Sequence, residues 1–242
     1  MQAMVLAAGF GRRLGQLTDR TPKALLEVGG LPQLARTLSA LEAAGANRIV
    51  VNVHHHADQI EQWLEGRDHF AEILVSREEP VPLETGGGLV HARGLFDEHA
   101  PILVHNVDIL TSIDLGALMA AHGTSPRLAT LAVHQRPASR YLLFDDDGLQ
   151  GRLDVRDGLT QDARPARGVP GRAAFTGVHV ASPRVFGLVE ETGAFSLVDL
   201  YLRLAATGET ILPYDVSEAE WFEIGTPERL AAARAAFARR DS

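Results

Sequence analysis

Residues 4–30 read MVLAAGFGRRLGQLTDRTPKALLEVGG, an apolar run followed by a glycine-rich, basic segment. Its first five residues, 4–8, form an apolar run that is typical of a buried strand. The loop that follows is rich in glycine, which lets backbone N–H groups approach an anion closely. Arg12 and Arg13 add guanidinium donors for phosphate oxygens in the same loop. The stretch therefore predicts a phosphate-binding loop directly after the first strand.

Lys23 closes this loop and is the only lysine in the 242-residue chain. An ammonium group is a compact point charge, whereas a guanidinium is a planar fork, and a crowded phosphate site can require the former. We therefore expect Lys23 to contact a phosphate group.

Composition excludes several classes of protein. The formal net charge is −8, which argues against a nucleic-acid target because phosphate-backbone binding needs a basic surface. The chain has no cysteine, which excludes a disulfide scaffold, a thiolate nucleophile and a thiolate metal site. No apolar run approaches the length of a membrane span, and the N-terminus begins in a strand pattern without a signal peptide. We expect a cytoplasmic protein that does not contact a membrane.

The first half of the chain alternates strand and helix patterns. Strand patterns lie at 1–7, 49–53, 71–76 and 101–105, and helical patterns at 32–44, 57–65, 84–93 and 114–122. This alternation of strands and helices is typical of a parallel sheet with helices on both faces. In such sheets, ligands bind beyond the carboxyl ends of the strands. Because Gly9 and Asp108 each follow such a strand, we expect both at the same edge of the sheet.

The second half is dominated by short strand patterns. They lie at 128–134, 141–144, 149–153, 173–181, 210–215 and 221–224, with helices at 196–206 and from Pro227, the latter capped by Thr226. The acidic run 145–147 before Gly148 predicts a solvated hairpin turn, because the other ligands of a calcium loop are missing. The segment 156–172 is rich in Arg, Gly, Asp and Pro and predicts a mobile loop.

Three consecutive histidines, 54–56, follow the second strand. Neighbours in sequence point in different directions, and good ligand pairs on a helix lie three or four residues apart. The pattern therefore favours a strand-end loop that packs beside a pocket over a metal site.

Two carboxylates stand in apolar surroundings: Asp108 after the fourth strand, and Glu223 before a glycine turn. A buried carboxylate needs a partner or an ion, and two of them near phosphates suit Mg²⁺. Asp108 could instead serve as a helix N-cap.

The run from Gly9 to Lys23 resembles the signature of the sugar-1-phosphate nucleotidyltransferases, G-x-G-x-R-L-x-P-L-T-x-x-x-P-K-P. Here it stands as GFGRRLGQLT followed by PKA, with Gln16 and Ala24 in place of two prolines. The resemblance extends from residue 3 to about 233. It implies an α/β fold with a Rossmann-like, mostly parallel sheet flanked by helices. It also implies one domain, 1–242, with a nucleotide-binding part at 1–127 and a smaller β-rich sugar-phosphate part at 128–242.

The resemblance also implies roles for individual residues. Arg12, Lys23 and Asp108 would be catalytic, and Mg²⁺ would lie on Asp108 and Glu223, where the family usually has Asp. The implied nucleotide contacts are Ala7, Ala8, Gly9, Gly11, Arg12, Arg13, Glu84, Thr85, Gly86, Gly87 and Asn106. The implied sugar contacts are Thr176 and Gly177. A second lysine that often holds the sugar phosphate is absent, and Arg167 and Arg172 are the candidates to replace it.

The implied reaction joins a nucleoside triphosphate to a sugar 1-phosphate, releasing pyrophosphate. The short members that this chain resembles include N-acetylmuramate-1-phosphate uridylyltransferases and mannose-1-phosphate guanylyltransferase-like enzymes. Three successive glycines, 86–88, offer bare backbone to the imide edge of uracil or thymine, which favours UTP or dTTP while leaving GTP open. A cytidylyltransferase that acts on phosphocholine and a nucleotide-binding regulatory protein are two further hypotheses. A monomer and a homodimer both remain open.

Overall fold

The computed structural model describes residues 1–123 and 126–239. Strands in these ranges are β1 Gln2–Leu6, β2 Glu27–Val28, β3 Leu31–Pro32, β4 Arg48–Val53, β5 Glu72–Arg77, β6 Ile102–Asn106, β7 Ile109–Thr111, β8 Ala129–His134, β9 Arg140–Asp145, β10 Gly148–Asp154, β11 Leu159–Asp162, β12 Gly171–Ala181, β13 Ile211–Asp215 and β14 Trp221–Glu223. The α-helices are α1 Gln33–Ala43, α2 Ala57–Glu65, α3 Glu84–His91, α4 Leu115–His122, α5 Leu197–Ala206 and α6 Pro227–Ala238. Short 3₁₀ turns span Arg12–Thr18, Lys23–Leu25, Arg93–Leu95 and Pro183–Gly187.

One sheet dominates the described part of the chain. Its strands follow the order β11-β10-β9-β12-β6-β1-β4-β5, with β8 beside β12 and β13 beside β8. Strands β6, β1, β4 and β5 are parallel, whereas β12 runs antiparallel to β6. The predicted α/β class with a mostly parallel sheet at the centre is confirmed.

The sheet is covered on both faces, as its apolar strands predict. Successive residues of β1 pack into different cores: Ala3 and Val5 contact the layer that contains α1, α2 and α4, and Met4 contacts the layer that contains α3 and α5. All three side chains are fully buried. A continuous apolar run is therefore what a central strand between two helical layers requires.

The parallel register brings three strand ends together. Leu6, the last residue of β1, pairs with Asn52 of β4 on one side and with Asn106 of β6 on the other. The loop at Gly9 and the turn at Asp108 therefore leave the sheet at the same edge, which confirms the prediction.

The start of α6 follows its predicted capping residue. The Thr226 hydroxyl accepts a hydrogen bond from the backbone N–H of Arg229 at 3.3 Å, and Pro227 is the first residue of α6. Asp114 caps α4 by accepting from Ala117 at 2.8 Å. Local sequence signals thus set both boundaries.

Two expectations for the second half need correction. Residues 159–162 of the predicted mobile loop form β11, which pairs with β10. The predicted hairpin turn is confirmed, since β9 and β10 pair across it and Asp146 and Asp147 are exposed, but Asp145 is not solvated, because its side chain is 1% exposed and pairs with Arg164. Hydrogen bonds from Arg164, and from the backbone of Arg167 and Asp147, hold the pKa of the Asp145 carboxyl well below its usual range. The ion pair therefore fixes the segment that composition alone made look mobile.

The division of the domain near residue 127 stays a prediction. The sheet runs across that point, since β12 pairs with β6 from the first part and with β8 and β9 from the second. Within the described ranges, no helix has the length and apolar character needed to cross a membrane.

Candidate active site

A cleft of about 560 Å³ opens at the carboxyl ends of β1, β4 and β6. Eight of the predicted site residues line it: Ala7, Ala8, Gly9, Lys23, Glu84, Thr85, Asn106 and Asp108. Ligands in sheets of this kind bind at this edge, beyond the ends of the parallel strands. The fold therefore brings together residues that lie far apart in sequence.

An ion pair between Lys23 and Asp108 lies in the cleft. The ammonium nitrogen of Lys23 contacts Oδ2 of Asp108, and the two side chains are 12% and 19% exposed. The 3₁₀ turn that begins at Lys23 directly after Pro22 presents the ammonium from one wall, and the turn after β6 presents the carboxylate from the floor. A phosphate that entered here would meet a preformed positive charge with little water around it.

The glycine loop after β1 is held closed by its own contacts. The hydroxyl of Thr18 donates to the carbonyl oxygens of Gly11 and Gly15, at 3.2 and 3.1 Å. Gly11 has a φ of 66°, in the left-handed region that favours glycine. The loop is therefore a defined turn rather than a flexible linker.

The two loop arginines take different partners. The guanidinium of Arg12 lies 4.7 Å from the centroid of the Phe10 ring, whereas Arg13 Nη2 donates to Glu223 Oε1 at 2.9 Å. Both arginines line an adjoining cavity of about 430 Å³, which shares Lys23 and other residues with the cleft. In the signature G-x-G-x-R, the arginine falls on Arg13.

A buried polar chain that sequence reasoning missed supports the cleft. The Asn52 side chain accepts from the backbone N–H of Ala7 at 2.7 Å and donates to Glu78 Oε1 at 2.6 Å. The other oxygen of Glu78 accepts from the N–H of Leu83 at 2.7 Å, and Glu78 is fully buried. An asparagine within the apolar pattern of β4 was the signal available in the sequence.

Gly86 and Gly87 do not line the cleft. Their N–H groups both donate to the carbonyl oxygen of Phe195, at 2.8 and 3.3 Å, and a Cβ at Gly86 would overlap the Phe195 ring. The structure therefore uses these glycines for close packing of α3 against the segment before α5. Glu84, which lines the cleft, has a φ of 58°, and strained backbone of this kind clusters at functional sites.

Thr176 and Gly177 lie behind the cleft rather than in it. The Thr176 hydroxyl donates to the carbonyl of Ala132 at 2.8 Å. A Cβ at Gly177, whose φ is 86°, would lie 2.9 Å from the Asn106 amide nitrogen. Gly177 thus leaves room for Asn106, which does line the cleft.

Two other arginines line the cleft on its β-rich side. They are Arg140 of β9 and Arg152 of β10, where the sequence had suggested Arg167 or Arg172. Arg152 donates to Asp199 and to Gln161, each at 2.8 Å. Arg167 instead pairs with the turn residue Asp147. An arginine inside the strand pattern 149–153 was the signal that sequence reasoning passed over.

The histidine triplet packs at the strand end beside the pocket, as predicted. His55 and His56 each place Nε2 near the carbonyl oxygen of Thr18, at 3.1 and 3.2 Å, and His54 contacts the ring of Phe10. Within residues 1–123 and 126–239, no group of three or more His, Asp or Glu side chains is placed to hold a metal ion.

Asp108 and Glu223 differ in how well they fit a metal ion. Their backbones are joined, since the N–H of Ile224 donates to the carbonyl of Asp108 at 3.0 Å. Asp108 lines the cleft and carries one cation, Lys23. Glu223 is paired through both oxygens, one with Arg13 and the other with Arg229. Asp108 therefore suits a cation that also binds phosphates, and Glu223, as it stands here, does not.

Comparisons with known proteins agree with this geometry. Residues 3–169 match the family described as MobA-like NTP transferase domain. The chain is 35% identical to N-acetylmuramate α-1-phosphate uridylyltransferase of Caulobacter vibrioides, over 98% of this chain and 96% of that protein. It is 31% identical to the enzyme of the same name from Neisseria meningitidis, over 97% of each chain. The inositol-1-phosphate CTP transferase of T. maritima shares the fold, with a TM-score of 0.78 at 21% identity over 98% of this chain and 95% of that one.

The buried chain through Asn52 gives a test of what holds the cleft. Asn52→Leu leaves the N–H of Ala7 and one Glu78 oxygen without a partner, and we expect a loss of about 2 kcal/mol or more in the free energy of unfolding. Urea denaturation measures it, with Asn47→Leu, at an exposed site, as the control. An unchanged free energy of unfolding for Asn52→Leu would contradict the role.

Proposed function

The chain belongs to the MobA-like NTP transferase domain family, and from this premise we propose that it joins UTP to N-acetylmuramate α-1-phosphate, giving a UDP-sugar and pyrophosphate. Nucleotidyltransferase activity is shared by its homologues. The observation that carries the proposal is the cleft itself. One wall of the cleft contains the glycine loop and Lys23, and the other wall contains Arg140 and Arg152. We place the reaction in the cytoplasm, where nucleoside triphosphates are made.

The step is an in-line displacement at phosphorus. An oxygen of the sugar 1-phosphate forms a bond to the α-phosphorus, and the bond from that phosphorus to the bridging oxygen breaks, so that pyrophosphate leaves with the electron pair. No nucleophilic side chain is needed, so positioning and charge neutralisation supply the catalysis.

The residues of the first wall would act on the triphosphate. The loop N–H groups at Gly9 and Gly11 and the guanidinium of Arg13 suit the outer phosphates. Lys23 suits the space between the α-phosphate and the attacking phosphate, because its compact charge can contact both. On entry of the substrates, Lys23 would exchange its contact with Asp108 for contacts with phosphate oxygens.

Members of this family generally use a divalent metal ion. When bound, such an ion neutralises charge on the transferring phosphate. Asp108 is the residue that we propose to hold it, and Mg²⁺ is the ion that we expect, since it takes carboxylate and phosphate oxygens together.

The residues of the second wall favour a sugar that carries an acid group. N-acetylmuramate bears a lactyl carboxylate in addition to its 1-phosphate, so the sugar substrate has two anionic groups. Arg152 is held by Asp199 and Gln161, which leaves its guanidinium pre-oriented at the cleft. Arg140 lies two residues along the neighbouring strand, opposite Asp154, to which its Nε donates at 3.0 Å. Two arginines at this wall match the second anionic group.

Lys23→Ala should lower kcat by about 10²- to 10³-fold, the scale seen when a single preorganised donor to the transition state is removed. Lys23→Arg should also be poor, because the planar fork does not replace the point charge. Pyrophosphate release measures the rate, and the melting temperature checks the fold. Arg20→Ala, in the same loop but outside the cleft lining, is the control. A near-wild-type rate for Lys23→Ala at saturating substrate would contradict the role.

Activity should be lost in excess EDTA and restored by added Mg²⁺. Asp108→Asn should lower activity by roughly 10²-fold or more, in line with the several kcal/mol that a metal ion can supply to the transition state. Asp97→Asn, at an exposed position, serves as the control. Full activity in EDTA would rule out the dependence on a metal.

Substrate choice is tested by kcat/KM for UTP, dTTP, GTP and CTP with one sugar phosphate, and for a panel of sugar 1-phosphates with UTP. We expect UTP with N-acetylmuramate 1-phosphate to be preferred. Arg152→Ala should raise the KM for this sugar by about 10- to 100-fold, since a hydrogen bond to a charged group contributes about 1.5–3 kcal/mol.

The same Arg152→Ala variant should change the KM for N-acetylglucosamine 1-phosphate, which lacks the carboxylate, by much less. Arg184→Ala, whose guanidinium pairs with Glu209 outside the cleft lining, is the control. Equal losses for both sugars would show that Arg152 does not bind the carboxylate. A higher kcat/KM with GTP than with UTP would replace the uridylyl assignment by a guanylyl one.

A further inference from the structure

Glu223 lies at the end of β14 between two arginines from different parts of the chain. Its Oε1 accepts from Arg13 Nη2 at 2.9 Å, and its Oε2 pairs with Nη1 of Arg229, in the first turn of α6. The Glu223 side chain is 13% exposed, whereas those of Arg13 and Arg229 are 64% and 55% exposed. The carboxylate is therefore the buried centre of this cluster, and the guanidinium groups form its outer part.

Gly225 makes the room that the cluster occupies. A Cβ built on Gly225 would overlap Oε1 of Glu223 and would lie 2.6 Å from Nη2 of Arg13. Gly225 also lines the cavity that adjoins the cleft, together with Arg13 and Lys23. The glycine thus lets the ion pair approach the phosphate side of the site.

The charges of the cluster disfavour a metal ion on Glu223. One carboxylate between two guanidinium groups leaves a local net charge of about +1, and a divalent cation on the same oxygens would meet two positive neighbours. Asp108 carries a single cation whose flexible stem can move toward phosphate. The carboxylates of Asp108, in the turn between β6 and β7, and of Glu223, at the end of β14, thus have different electrostatic surroundings.

We infer that Glu223 is a positioning residue, which holds Arg13 of the glycine loop toward the triphosphate, and that it is not a ligand of the metal. The inference rests on the proposed nucleotidyl transfer. Glutamate replaces the aspartate usual at this position, and its additional methylene carries the carboxylate farther from β14, toward both arginines. Arg229 neutralises the second oxygen and fixes the direction of the first.

Metal binding without turnover separates the two carboxylates. Mn²⁺ is titrated into the enzyme with a nonhydrolysable UTP analogue and no sugar phosphate, and free Mn²⁺ is followed by electron paramagnetic resonance. Asp108→Asn should weaken Mn²⁺ binding about tenfold or more. Removing a residue that only hydrogen-bonds to a metal ligand already lowers metal affinity by about 10- to 100-fold, so loss of a ligand itself should cost at least the lower of these values. Glu223→Gln should leave it within about twofold of wild type, as should the control Glu228→Gln in the exposed first turn of α6. A loss for Glu223→Gln as large as that for Asp108→Asn overturns the inference.

Coupling to Arg13 is measured by a double-mutant cycle on binding of the same UTP analogue. Glu223→Gln should weaken binding about tenfold, and Arg13→Ala about as much, while the double variant should be no weaker than Arg13→Ala alone. The concentration of Mg²⁺ that half-activates the enzyme should not change in Glu223→Gln. Additive losses would show that Glu223 acts independently of Arg13.

Two more variants distinguish loss of the Glu223–Arg13 contact from a loss of folding. Glu223→Asp keeps the charge but shortens the stem, so it should weaken binding of the UTP analogue while leaving Mn²⁺ binding unchanged. A metal ligand would instead tolerate Asp, the residue usual at this position. Gly225→Ala should weaken analogue binding in the same way, because it displaces the pair without removing a charge. Because the titrations with Mn²⁺ and with the UTP analogue need no turnover, they remain interpretable if no sugar phosphate proves to be a substrate.

Discussion

The chain of hydrogen bonds through the Asn52 amide is the constraint on which the site depends. Its three links run from the end of β1, across β4, to Glu78 after β5, and then to the N–H of Leu83 at the start of α3. Each link is buried or partly buried, so each is strong and each is costly to break. This chain fixes the glycine loop and the start of α3 relative to one sheet edge. The position of the cleft is consequently set by the strands rather than by the loops.

Gly88 belongs to the same constraint. A Cβ there would lie 2.5 Å from Glu78 Oε1 and 2.7 Å from the Asn52 amide nitrogen, so only glycine lets α3 approach this buried pair. Together with Gly86 and Gly87, which pack against the segment at Phe195, it brings the helix onto the sheet. The three glycines that suggested a surface for a base are thus explained by packing. The close approach of α3 to the sheet that they allow forms part of the cleft wall.

The sequence predicted the structural features that depend on residues close together in the chain. It missed those that depend on contacts between residues far apart in the chain. The strand before Gly9, the cap at Thr226 and the shared sheet edge follow from local periodicity and from the alternation of strands and helices along the chain. The burial of Asp145 depends on Arg164, nineteen residues further along, and composition does not encode that pairing. Arg152 reaches the cleft only because β10 folds back against β9, so its role could not be read from its own strand. The partners of Glu223 come from both ends of the chain, which is why a carboxylate in apolar surroundings suggested a metal first.

The buried ammonium beside Asp108 also has a consequence for chemical modification. Because the printed sequence contains a single lysine, its only ε-amine lies in the cleft. A reagent that carries a phosphate or a carboxylate would be drawn to this amine by the same charge that attracts a substrate. Acylation there would remove the positive charge of Lys23 and leave Asp108 without its partner. The protein can thus receive one covalent label at its reaction centre without any engineered cysteine, and occupancy of the cleft can be followed by protection of a single side chain.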